Sequence, residues 1–296
     1  MMKSLIIVFL QIVCVSCSID YIPNLISEKD QNKLIVNCLL SPQNKIQVQF
    51  YTTFQENNNY AYKAIKNISI LLLENDSILF SGISSDSILN LNYYPKAGKL
   101  YSIKASANGL KEISAFTKIP SQLKCNGKYI AKYGVVNIYD FNYENDNFAA
   151  WFTANYLKND TLDNSFTEYI TNNLFVDIVN QSNDTYYGNE VLGSLYCDGF
   201  IRIKASNIIH LDSLKFADMR PLLNSPYQKL TGIRVNIISA SNEYAQFNKS
   251  IFQQISIPTE SDINAMFYQP VRVYCNIKNG LGIFAGLNQS YLYVYK

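Results

Sequence analysis

Near its carboxyl end the chain reads RVYCNIKNGLGIFAGLNQS, from Arg272 to Ser290, and its glycines at 280, 282 and 286 are the spacing that most invites chemistry. Glycine-rich loops cradle phosphates when backbone N–H groups and the start of a helix converge on the anion. A dinucleotide fingerprint needs G-x-G-x-x-G between a strand and a helix, whereas Gly280-x-Gly282-x-x-x-Gly286 is one residue too long. The continuation LNQSYLYVYK is aromatic and β-branched and suits a strand. No G-K-[ST] follows, which excludes a P-loop. The pair Asn279-Gly280 instead predicts a type I′ β-hairpin, with a strand over residues 271–277 and a return strand beginning at 281–285. On this reading Asn276, Asn279, Gly280, Gly282, Phe284 and Gly286 shape a tight hairpin that packs between domains or against a partner.

Other residue types with chemical potential are sparse. The one histidine, His210, stands in NIIHLDSL with no second histidine or cysteine beside it, so a catalytic pair is not apparent. There is no G-x-S-x-G, H-E-x-x-H or S-x-x-K. Acidic residues gather at Asp140, Glu144 and Asp146 and at Asp160 and Asp163. Paired carboxylates could act on glycans, but neither stretch has the ligand density of a calcium loop, and both read as solvated turns. Cys38, Cys125, Cys197 and Cys275 are far apart, with no C-x-x-C, so no metal site is predicted; whether any are bridged is left open. Trp151 and Tyr143 are the aromatic candidates for binding, against a core or sheet-face role. No cofactor is implied.

The elements that must position these residues begin with an export signal. MMKSLIIVFLQIVCVSCSIDYIPN has one lysine and then an apolar run from Leu5 to Val15, too short to span a bilayer as a helix. Val15 and Ser16 precede Cys17 as in a bacterial lipobox, so residues 1–16 are expected to be removed and Cys17 to carry the lipid, with 17–32 as anchor linker. A net charge of +2 with 16% charged residues offers no basic face for nucleic acid.

From Lys33 onward the pattern is mostly β. In KIQVQFYTTF, Ile46, Val48 and Phe50 alternate with polar residues. Asn75-Asp76 and Asn108-Gly109 lie between apolar runs and predict hairpins, the second of type I′. An immunoglobulin- or fibronectin-like sandwich is predicted over 33–121, with Pro120-Ser121 as linker. A second β-rich domain over 122–296 follows, with one or two short helices. The run at 148–154 predicts a strand with Trp151 facing away from Phe148, Ala150 and Phe152. In SNEYAQFNKSIFQQIS the apolar period becomes helical, with Ser241 as N-cap and Glu243 in the first turn.

Several phrases together resemble the Bacteroidota lipoproteins grouped as domain of unknown function (DUF) 4249. These are KLIVNCLLSP, YYPKAGKLYSIKASANGLKEISAFTKIPS, YENDNFAAWFTANY, FADMRPLL and PVRVYCNIKNGLGIFAG, spread over nearly the whole mature chain. The last is similar to the family run V-Y-S-N-I-x-N-G-L-G-I-F-G-G, from which this chain departs at Cys275 and Ala285. The resemblance implies a lipid anchor in the outer membrane, no established enzymatic activity, and association with a TonB-dependent receptor in nutrient import. A free-standing surface adhesin or glycan-binding protein is the alternative, and a glycan-acting enzyme the weaker one. The ligand and the membrane face are left open.

Overall fold

The computed structural model describes residues 32–56, 59–130, 135–142, 149–158, 161–166, 168–171, 176–180, 187–189, 194–197, 199–204, 213–217, 230–255 and 272–295. The first half carries β1 (Leu34–Leu40), β2 (Gln47–Glu56), β3 (Asn59–Ala64), β4 (Ile68–Glu74), β5 (Ser77–Ser84), β6 (Ile88–Asn90), β7 (Leu100–Ser106) and β8 (Ile113–Lys118). Then come β9 (Lys124–Ile130), β10 (Val135–Asn142), β11 (Ala149–Lys158), β12 (Thr161–Phe166), β13 (Glu168–Thr171) and β14 (Val176–Asn180). The chain continues through β15 (Tyr187–Asn189), β16 (Ser194–Cys197), β17 (Gly199–Lys204), β18 (Ser213–Ala217) and β19 (Leu230–Ala240). The helix α1 (Asn242–Ile255) and the long strand β20 (Leu281–Tyr295) complete the described elements. The chain is therefore mostly β, as its alternating runs predict.

Three sheets form: one of ten strands in the order β14-β17-β11-β19-β20-β1-β2-β3, with β12 on β11 and β6 on β2; one of six, β15-β16-β13-β18-β10-β9; and one of four, β5-β4-β7-β8. Two cores fill the gaps between them. The first joins Val36, Phe50, Leu72, Ile103, Ile113 and Phe284 between the four-stranded sheet and the β20-β1-β2 side of the large sheet. The second joins Val136, Ile138, Phe152, Val235, Ile237 and Val294 between the six-stranded sheet and the β11-β19-β20 side. Strands β1, β4 and β7 bury alternate residues in the first core, which is the consequence of a two-residue period.

The turns follow residue chemistry. Asn75 and Asp76 both have positive φ, 43° and 68°, as a type I′ turn requires, and β4 and β5 pair on either side. The β7–β8 hairpin is present, but its turn corrects the expectation: Gly109 has φ 76° and Asn108 is not in the positive region, while Leu110 N bonds to Ala107 O. Positive φ at the second central position alone is the pattern of type II.

β20 is the element on which the two halves depend. Its first six residues pair in parallel with β1, from Ile35↔Leu281 to Leu40↔Gly286. Its later residues pair antiparallel with β19, from Ala240↔Leu287 to Gly232↔Tyr295. Phe284 accordingly belongs to the first core and Val294 to the second. The first core, built mainly from residues before 120, is completed by Ile277 and Phe284 from the carboxyl end.

Candidate functional site

The glycine-rich phrase forms a seam and not the expected hairpin. Residues 272–277 are not a strand, and only Asn279 of the Asn279-Gly280 pair has positive φ, at 61°. Lys278 makes a bridge to Ser114 on β8, with Lys278 N to Ser114 O at 2.9 Å and Ser114 N to Lys278 O at 3.3 Å. Asn279 Nδ2 donates to Glu112 O at 3.2 Å. On its other side the segment meets β20 through a side chain. Phe284 N donates to Asn276 Oδ1 at 3.0 Å, and Asn276 Nδ2 donates to Phe284 O at 2.8 Å. A carboxamide has the same donor and acceptor as a peptide group, so Asn276 takes the place of a ladder partner. The segment thus ties the edge of the four-stranded sheet to the large sheet. The physical reason for the missed hairpin is that the edge of β8 takes both backbone groups of Lys278, while β20 is met by the Asn276 side chain and not by a paired strand.

The glycines mark close backbone approach. Gly282 has φ 100°, and a Cβ there would lie 2.2 Å from Val36 O. At Gly286 a Cβ would lie 2.8 Å from Lys118 O and 2.9 Å from Ile119 Cα. All three distances are below ordinary van der Waals contact, so any side chain would force β20 away from its neighbours.

Beside Gly286 the polar groups of three elements converge. Gly286 N donates to Thr117 Oγ1 at 3.0 Å and to Ser241 Oγ at 3.3 Å, and Ser241 N donates to Gly286 O at 2.8 Å. Ser241 Oγ also accepts from Tyr244 N at 3.2 Å, which is the predicted N-cap of α1. Glu243 in the first turn of α1 accepts from Thr117 Oγ1 at 2.9 Å. A little further on, Asn288 Nδ2 donates to Pro120 O at 3.1 Å, and Gln43 Nε2 donates to Asn288 Oδ1 at 3.0 Å. Thr117, Ser241 and Asn288 are all buried, so these bonds satisfy groups that water does not reach. Sequence reasoning found the glycines and Ser241 but missed Thr117, Glu243 as its partner, and Asn288, because their convergence depends on β20 crossing both halves.

The remaining candidates separate. Trp151 is 1% exposed and packs with Ala149, Ala240 and Ala245 beneath α1, while Ala150 and Phe152 face the second core. It braces the helix and offers no surface to a ligand. Cys17, Tyr143, His210, Glu144, Asp146 and Asp160 lie outside the described residues. Asp140 accepts from Asn126 Nδ2 at 3.1 Å at an exposed position where the β9–β10 register shifts. Cys38, Cys125 and Cys275 are free thiols; burial pushes Cys38 and Cys125 up to about 12 and also raises Cys275. Among the described residues no three His, Cys, Asp or Glu side chains are grouped to hold a metal ion.

A surface that sequence reasoning did not single out lies on the outer face of the four-stranded sheet. The inward residues are Ile70, Leu72, Ile103 and Ile113. The register puts Ile83 opposite Ser69, Ile78 opposite Leu73, Lys104 opposite Leu71, and Phe116 opposite Ser102 on the other face. Ile78, Ile83 and Phe116 are 66%, 71% and 65% exposed, and Leu100 on the same face is also exposed. The solvent face of a half-buried antiparallel sheet ordinarily alternates to polar residues. Its signal in sequence is the apolar residue at both parities of strands such as ISILLLE and SILFSGIS.

At one end of this sheet the Tyr101 and Tyr93 hydroxyls donate to Glu74 Oε2, the first at 2.7 Å. Burial pulls the Glu74 carboxyl upward, but these two bonds and the charges of Lys96 and Lys99 outweigh it and hold the group below the ordinary glutamate range.

Compared with known proteins, the chain is matched over residues 19–291 by the model of a family described as a domain of unknown function (DUF4249). No curated protein matches it.

Proposed function

The chain belongs to the DUF4249 family, and on that premise we propose that it is a non-catalytic, lipid-anchored accessory or binding lipoprotein of the outer membrane, partnering a TonB-dependent nutrient transporter. Cys17, following the apolar run at Leu5 to Val15, is the residue that carries the lipid. The observation that carries the partner reading is the outer face of the four-stranded sheet. Ile78, Ile83, Leu100 and Phe116 stand exposed there on a four-stranded platform. Exposed apolar patches of this kind mark protein contact sites, because covering them recovers the hydrophobic contribution that the monomer forgoes. The seam around Asn276 and Gly286 supports the same reading, since it fixes the platform to the second half and lets the chain act as one body.

The test is co-purification. The full-length chain, tagged at its carboxyl end, is extracted from the outer membrane in mild detergent. The reading expects a TonB-dependent receptor in stoichiometric amount, lost in an Ile83→Lys, Phe116→Lys double variant that unfolds at the wild-type temperature. A lone lipoprotein under several detergents would refute it and favour a free-standing adhesin or glycan-binding protein. Mass measurement of the mature chain checks the anchor: a chain beginning at Cys17 and carrying a diacylglycerol is expected.

A further inference from the structure

The last strand carries a second surface of different chemistry. Tyr291, Tyr293 and Tyr295 alternate along β20 and are each about half exposed, at 49%, 50% and 57%. The β19 register places Asn236 opposite Tyr291 and Arg234 opposite Tyr293, so all five side chains share one face. Beyond Leu287 the described ladder of β20 runs with β19, which leaves the tyrosines at the margin of the large sheet. The strip runs for about 14 Å at the ordinary rise of a strand.

Its polar groups are already oriented. Gln289 Nε2 donates to Asn236 Oδ1 at 2.8 Å and to Tyr291 Oη at 2.9 Å. These bonds use both hydrogens of the Gln289 carboxamide nitrogen, leaving its Oε1 as an acceptor and the Asn236 Nδ2 as a donor at fixed neighbouring positions. The Tyr293 and Tyr295 rings lie nearly parallel, 13° apart, with centroids separated by 6.5 Å. Arg234 holds its guanidinium 4.8 Å from the centroid of the Tyr291 ring and donates to Asn155 Oδ1 at 3.4 Å. The guanidinium keeps its positive charge and is held against that ring and carboxamide.

We infer that this face, Tyr291, Tyr293 and Tyr295 with Asn236 and Gln289, binds a neutral carbohydrate chain. A sugar ring presents an apolar C–H face that packs on an aromatic ring and an edge of hydroxyls that both donate and accept. Tyrosine rings beside oriented carboxamides answer both. An anionic chain would call for free lysine or arginine, and the paired positions of the strip hold no lysine. Tyrosine and arginine suit protein contacts too, but this strip has no exposed aliphatic side chain to form the apolar centre of such a contact, whereas Ile78, Ile83 and Leu100 supply one on the four-stranded sheet. The inference deepens the reading of the chain as a binding lipoprotein by naming a ligand class, and it rests on that reading.

The experiment is native affinity electrophoresis of the full-length chain in mild detergent, through gels containing a neutral β-glucan, starch, xylan, mannan or galactan, with polygalacturonate as the acidic comparison. At least one neutral polysaccharide is expected to retard the chain. Tyr291→Ala and Tyr293→Ala are each expected to weaken that retardation about tenfold or more, while Tyr293→Phe, which keeps the ring, stays within about threefold of wild type. The inference is overturned if no neutral polysaccharide retards the chain, if only polygalacturonate does, or if the alanine variants bind like wild type. The same variants are carried through receptor co-purification. Loss of receptor with unchanged sugar retardation makes the strip a protein interface and overturns the inference alone. Tyrosine-dependent sugar retardation with no receptor in any detergent overturns the transporter reading alone.

Discussion

Asn276→Ala is the substitution that tests the seam most directly. Phe284 is fully buried, its ladder neighbour on one side is Cys38 of β1, and its other edge is served by the Asn276 carboxamide. Truncation leaves one N–H and one C=O without the partners they had at 3.0 Å and 2.8 Å. Each orphaned buried group costs about 1–3 kcal/mol. Because Asn276 itself is only half-buried, water can reach the space its side chain leaves, so the lower part of that range applies and the sum is about 2–3 kcal/mol. That is a large share of the roughly 5–15 kcal/mol by which a domain is stable. The assay is urea unfolding followed by circular dichroism, where the midpoint should fall by about 1 M with an unchanged slope. Asn276→Asp should not rescue it, because the carboxylate still accepts from Phe284 N but faces Phe284 O with a lone pair. A midpoint shift below about 0.2 M for Asn276→Ala would refute the reasoning and mean that water substitutes for the carboxamide.

Three further outcomes follow from the same geometry. Gly282→Ala combines a φ of 100° with a Cβ 2.2 Å from Val36 O, and should lower stability by about 2–4 kcal/mol in the same urea assay. Glu74 has a folded-state pKa depressed below its unfolded value, so its contribution is present above the unfolded value of about 4.3 and is lost as pH falls through the folded one; the wild-type urea midpoint should fall more than that of Glu74→Gln between pH 6 and pH 3, roughly the span of that titration. Cys38 and Cys125, with thiols pushed up to about 12, hold about one thiolate in ten thousand at pH 8, roughly; they should resist a disulfide reagent in the folded chain and react promptly in denaturant.

Much of the fold was legible because strands report themselves locally. Ile46, Val48 and Phe50 alternate in the sequence and are all buried in the structure. Asn75-Asp76 closes a hairpin through positive φ at both residues, a preference carried by those side chains alone. Ser241 caps α1 as its position before a helical apolar period predicts. The turn at Asn108-Gly109 was legible as a hairpin but not as a type, since the backbone conformation of Asn108 answers to the way β7 and β8 meet.

By itself, the sequence determined that the chain is mostly β, where one helix begins, and that Asn276, Gly280, Gly282 and Gly286 sit at a place of unusual backbone demand. These are properties of periodicity, capping and the absence of a Cβ, which act within a few residues. Only the tertiary structure decided what that demand was. β20 pairs in parallel with β1 and then antiparallel with β19, so Gly286 meets Thr117 and Ser241 from segments far from it in the chain. The same distance rule governs the two surfaces. The tyrosines of YLYVY alternate in sequence, but Asn236 and Arg234 join them only through register, and Trp151 is withdrawn from any ligand because α1 folds over it. Which strands pair is set by the free energy of closing and burying whole sheets, and that quantity has no local signature.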